Sequence, residues 1–186
     1  MRSAFRTALP ALATLAALTL SAEAQHGPST IVADLRADVE EVEKKILDLA
    51  RAIPEDKYSW RPAPGVRSIS EVLVHIAADN YLIPAAIGFP ADPATGIKGN
   101  DYNTALAFEK RTMSKAAAIA ELEKSFAFVK KSMTDTPDAR LNQAVTVFGS
   151  SSTPQKVWIL GTTHLHEHLG QLIAYARSNG VKPPWS

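Results

Sequence analysis

The sequence has no cysteine among its 186 residues. That excludes disulfides, thiolate metal ligands and cysteine nucleophiles, so packing must hold the fold together. An excess of either sign of charge is lacking as well: 20 Lys and Arg against 19 Asp and Glu give a formal net charge of +1, with no basic cluster. Such a balance gives no electrostatic reason to expect nucleic acid or an anionic membrane as partner. No P-loop, G-x-G-x-x-G turn or G-x-S-x-G elbow is present. HExxH is missing too, because the position after His166-Glu167 that would need histidine is Gly170. Catalysis, if any, rests on His, Asp, Glu, Tyr, Ser or Lys.

There is also no apolar run long enough to span a bilayer. The uncharged stretch Ala8 to Leu20 covers about 13 residues, against the roughly 20 that a spanning helix needs. It follows Arg2 and Arg6 and ends at Ala22-Glu23-Ala24, a small-x-small cleavage site. Together these make the three-part pattern of a secretory signal peptide over residues 1–24. The expectation is an exported protein, periplasmic or secreted, whose mature chain starts near Gln25 and keeps no membrane anchor. Removing the segment takes away two arginines and one glutamate, which brings the formal charge to 0. Residues 25–186 suit one domain with a sizeable core.

What is present is helical periodicity. Ile31, Leu35, Val39, Val42, Ile46, Leu49 and Ile53 recur at three- and four-residue spacing, which predicts a helix from Ser29 to Ile53, stopped by Pro54. A capping box at Ser68-Ile69-Ser70-Glu71 opens a second helix running toward Phe89, kinked at Pro84. Residues 90–113 form a long link with one short turn around Leu106–Lys110. A third helix spans Ser114 to Met133, with Ile119, Leu122, Phe126 and Val129 on one stripe. Residues 144–148, "AVTVF", suit a short extended piece. The fourth helix starts with Thr153 as cap and Pro154 in its first turn, and it ends at Gly180. Four amphipathic helices, no internal repeat and one long crossover between the second and third predict an all-α four-helix bundle.

Three of the five histidines fall in "THLHEHLGQ". His164 and His168 are four apart and project from one helix face, so both can reach one metal ion. His166 lies on the other side and cannot share it. Val157, Leu160, Gly161, Leu165, Leu172 and Tyr175 share the stripe of the pair, which therefore points toward the bundle interior. A third ligand must come from another helix, and His75 lies on an apolar face of the second beside Val72, Ile76 and Asp79. Three imidazoles leave a coordination position open, the catalytic rather than the structural arrangement. Glu167 and Asp79 are the candidates for proton transfer, and Gln171 for orienting an imidazole. Each of these three is equally readable as an ordinary surface or interior polar residue.

"WRPAPGVRSISEVLVHIA" (60–77) and "HLHEHLGQLIAYARSNGVKPPW" (164–185) together resemble the DinB/YfiT-like superfamily. The resemblance covers residues 29–186. It implies a four-helix bundle whose divalent ion is held by three histidines, matching His75, His164 and His168. Zinc is the default ion, with nickel, iron or manganese as alternatives. Relatives include bacillithiol- and mycothiol-dependent transferases and a maleylpyruvate isomerase, and they often pair as dimers. Small thiols serve mainly in the cytosol, and the export signal weighs against thiol transfer. Three readings stand. One is an exported metal-dependent transferase or hydrolase acting on a small electrophile, and another an exported bundle binding metal or ligand without turnover. A third is an interaction protein with hydrogen-bonded core histidines.

Overall fold

A computed structural model describes residues 30–186. The expected signal peptide over residues 1–24, the expected mature start near Gln25 and His26 lie outside the described residues. Each long helix starts where a side chain can occupy its free N–H groups. Thr30 caps α1 (Ile31–Ala52) by accepting from the Ala33 N–H at 3.3 Å. Ser68 caps α2 (Ile69–Ala86): its Oγ accepts from Glu71 N at 3.3 Å, and Glu71 Oε2 accepts from Ser68 N at 2.6 Å. Ser114 caps α4 (Lys115–Thr134), and Thr153 caps α5 (Pro154–Ser178), whose first residue is the expected proline.

The helix ends follow equally local rules. The first helix stops at the residue before Pro54, which is held extended. Pro84 sits in the last turn of α2, which ends three residues short of Phe89, and Gly88 at φ 98° turns the chain away. Gly180, at φ 72°, closes α5 in a Schellman motif: Val181 N donates to Ala176 O at 2.9 Å and Gly180 N to Arg177 O at 3.0 Å.

α1 packs on α4 and α5, and α2 packs on the same two helices. Helices consecutive in the chain, α1 with α2 and α4 with α5, therefore stand at opposite corners. α2 is the most enclosed: Ile69, Val72, Leu73, Val74, Ile76, Leu82 and even Asp79 and Asn80 are buried. Ile46, Leu49, Leu122, Phe126, Trp158 and Leu172 fill the space around it. No helix among the described residues is long and apolar enough to cross a membrane.

The crossover holds more structure than expected. Where one turn is predicted there is an eight-residue helix, α3 (Tyr102–Glu109), capped by Asp101 and packed on α2. The chain reaches it by passing so close to the end of α2 that a Cβ on Gly99 would lie 2.2 Å from the Ala85 carbonyl oxygen. The extended piece is real, as β1 (Val145–Val147), and it pairs antiparallel with β2 (Ser150–Ser152). Phe148 and Gly149, both at positive φ, make the tight turn between them. A return strand of three serines carries no apolar signal.

The face of α5 departs from expectation at Leu160, which is 56 % exposed. The buried stripe runs instead through Trp158, Thr162, Leu165, Leu169 and Leu172, while Gly161 abuts Ile83 of α2. His164 and His168 thus stand at the border of the buried face, not at its centre, and both are half-buried.

Candidate metal centre

The α2–α5 contact brings together residues 89 apart in sequence. His164 Nε2 lies 3.2 Å from His75 Nε2 and 2.9 Å from His168 Nε2. The rings stand nearly perpendicular, at centroid separations of 4.4 to 5.2 Å. Nitrogens bonded to one ion at about 2.0–2.1 Å would sit roughly 2.9 Å apart in an octahedron and 3.3 Å in a tetrahedron. The two measured separations match that range. His75, His164 and His168 form a group whose ligand atoms all lie within 4.8 Å of one another.

Hydrogen bonds on the far side of two rings decide which nitrogens face inward. His75 donates from Nδ1 to Glu109 Oε1 at 2.8 Å, and Glu109 Oε2 accepts from Arg67 Nη2 at 2.9 Å. Burial alone would raise the Glu109 pKa, but the bonds from His75 and Arg67 outweigh it and hold the carboxyl below its usual value. It is therefore an ionised acceptor at neutral pH. His168 donates from Nδ1 to Gln171 Oε1 at 2.8 Å, and Gln171 Nε2 donates to the Tyr175 hydroxyl at 3.0 Å. Trp60 packs edge-on against Tyr175, with ring centroids 5.2 Å apart. With their protons on Nδ1, His75 and His168 both present an Nε2 lone pair to His164.

This arrangement leaves a deficit of protons. Around His164 Nε2 stand three acceptors: the other two Nε2 atoms and Asp79 Oδ2 at 3.1 Å. One N–H can serve only one of them. Protonating His168 is no remedy, because burial, with His164 and His75 adding to it against the pull of Gln171, pushes its pKa down to about 4. Converging lone pairs of this kind are what a divalent cation satisfies, so the residues present fit the ion.

The other candidate residues divide. Asp79, one turn beyond His75 and buried, is brought to the cluster. Gln171 is placed behind His168 as expected. His166 points away, as expected, and its Nε2 lies 2.7 Å from Asp38 Oδ2 on α1. Glu167 is not brought in: it is exposed and makes no hydrogen bond or ion pair with any described residue. It lies about 100° round the helix from His168, on the solvent side. The carboxylate behind the histidines is Glu109, which sequence reasoning missed. It stands in the crossover, outside any strong periodic pattern, and nothing local ties it to a histidine 34 residues away.

Fold and site together define a helical bundle with a three-imidazole centre between two non-consecutive helices. Residues 38–172 match the DinB superfamily, and the chain belongs to that superfamily. No functionally curated protein matches it. Among solved structures, a DinB-like protein from Bacillus subtilis superposes with a TM-score of 0.62 at 18 % identity, covering 80 % of this chain and 93 % of that one. One from Bacillus cereus gives 0.64 at 14 %, covering 81 % and 93 %. YfiT from Bacillus subtilis, described as a "probable metal-dependent hydrolase with an unusual four-helix bundle topology", gives 0.64 at 15 %, covering 85 % and 93 %. At these identities the likeness concerns the fold.

Proposed function

We propose that the protein is a divalent-metal-dependent hydrolase of a small electrophilic substrate, with His75, His164 and His168 holding the ion. The observation that carries the reading is the pair of imidazoles locked with Nδ1 protonated, whose Nε2 lone pairs converge on a third. Glu109 and Gln171 orient His75 and His168, and Arg67 and Tyr175 hold those two in turn. When bound, a divalent ion acts as a Lewis acid toward water and the electrophile. Zinc suits three imidazoles best, while nickel, iron and manganese also accept nitrogen donors. The border position of His164 and His168 leaves the centre within reach of solutes. The signal-like segment 1–24 supports work outside the cytosol, where water is a more available nucleophile than a small thiol. The description of YfiT points the same way.

Metal content of protein purified without a histidine tag tests the site. The expected result is one divalent ion per chain and a melting temperature that rises on adding Zn²⁺. His168→Ala should lose the ion, and its stability deficit should largely vanish in EDTA. A deficit equal with and without chelator would mean three hydrogen-bonded core histidines. Ester and amide turnover that requires metal but no added thiol would establish hydrolysis. Turnover only with a thiol would move the protein to the transferases, and a bound metal without turnover would favour a binding role.

A further inference from the structure

We propose that Asp79 supplies a fourth protein donor to the ion through Oδ2, giving three imidazoles and one carboxylate. The proposal rests on the metal reading above and adds a ligand to it. Asp79 follows His75 by one helical turn, so both side chains leave the same face of α2. Its Oδ2 lies 3.1 Å from His164 Nε2 and 3.6 Å from His75 Nε2. An ion bonded to both nitrogens has neighbouring donors roughly 2.9–3.3 Å from each. The carboxylate oxygen stands close to where such a donor belongs.

The second observation is a missing partner. Asp79 is only 8 % exposed, yet Oδ1 makes no hydrogen bond, and it is the one buried side-chain oxygen or nitrogen among the described residues left so. Among the described residues no lysine or arginine pairs with this carboxylate, and the basic groups within ion-pair distance are His75 and His164. A buried, unpaired carboxylate is costly, and a dication beside it removes the cost. Glu109 does not compete for this role, because it meets His75 at Nδ1, on the opposite side of the ring, and is held by Arg67. Of the two carboxylates at His75, one orients the ring and the other faces the ion. A harder oxygen donor also widens the range of acceptable metals toward manganese and iron.

The experiment compares wild type, Asp79→Asn and Asp79→Ala by chelator competition for Zn²⁺ and by the visible spectrum of the Co²⁺-loaded protein. Both variants should bind Zn²⁺ at least about tenfold more weakly and shift the Co²⁺ bands. In EDTA, Asp79→Asn should melt at or above the wild-type temperature, since an unpaired charge is gone; this also shows that it folds. Wild-type affinity and an unchanged Co²⁺ spectrum in both variants would overturn the proposal while leaving the three-histidine site standing. Wild type that binds neither Zn²⁺ nor Co²⁺ would overturn both.

Discussion

Replacing Glu109 tests whether the crossover serves the metal centre or merely connects two helices. The carboxylate is largely enclosed, its side chain 13 % exposed, between His75 Nδ1 at 2.8 Å and Arg67 at 2.9 Å. Glu109→Ala removes a charge-assisted hydrogen bond, a contact worth about 1.5–3 kcal/mol. Loss of a partner that orients a ligating histidine typically weakens metal binding 10- to 100-fold. That factor corresponds to about 1.4–2.7 kcal/mol, so the two estimates agree. Arg67 is 39 % exposed and can turn to water, whereas buried His75 loses the acceptor of its Nδ1–H, so the metal-free fold should lose about 1–3 kcal/mol and the metal-bound protein more. Glu109→Gln keeps an acceptor for Nδ1 and should fall between wild type and alanine. Chelator competition for Zn²⁺ measures the affinity, and melting in EDTA measures the fold. Unchanged affinity in Glu109→Ala, or a metal-free deficit as large as the metal-bound one, would refute the reasoning.

Three further outcomes follow from local structure. Ser68→Ala should cost about 1 kcal/mol by freeing an N–H at the start of α2. The reciprocal bond makes this cap sensitive to pH: the Ser68 N–H chiefly, then Arg61, holds the Glu71 pKa below its usual value against burial. That contribution is complete above the unfolded value near 4.3 and disappears as pH falls through the folded one. Thermal melts of Glu71→Gln should thus fall below wild type at neutral pH and converge with it in acid. Gly99→Ala should destabilise by about 1–3 kcal/mol, because its Cβ would run into the Ala85 carbonyl and the backbone must shift. A wild-type melting temperature would show that the crossover yields freely there.

What could be read from the sequence was what depends on neighbours along the chain. Caps at Ser68 and Thr153, the stop at Pro54 and the pairing of His164 with His168 follow from local sequence patterns. His75 was legible because an inward histidine on a second helix had one sensible partner in a bundle. Glu109 and Arg67 were not, since their meeting depends on the path of residues 87–113 across α2. Leu160 misled because the buried stripe of α5 runs through Val157, Trp158, Thr162 and Leu165, which leaves position 160 facing solvent. Glu167 adjoins His168 in the sequence, but one residue is about 100° of helix, which puts it with His166 on the exposed side. The return strand 150–152 is fixed by the turn at Phe148-Gly149, not by its serines.

The diagonal placement of consecutive helices has a consequence for how the protein is made. His75 and Asp79 leave the ribosome well before His164, which follows His75 by 89 residues. At about 5–20 residues per second, the first half of the centre waits roughly 5 to 20 seconds for the second. During that interval the nascent chain offers an ion one imidazole and one carboxylate, too few to hold it against other ligands in the cell. An ion held by the three histidines would bind only once α5 has docked against α2, where the His164 side chain keeps 18 % of its surface open. On the proposed reading, metal binding would therefore report a finished bundle.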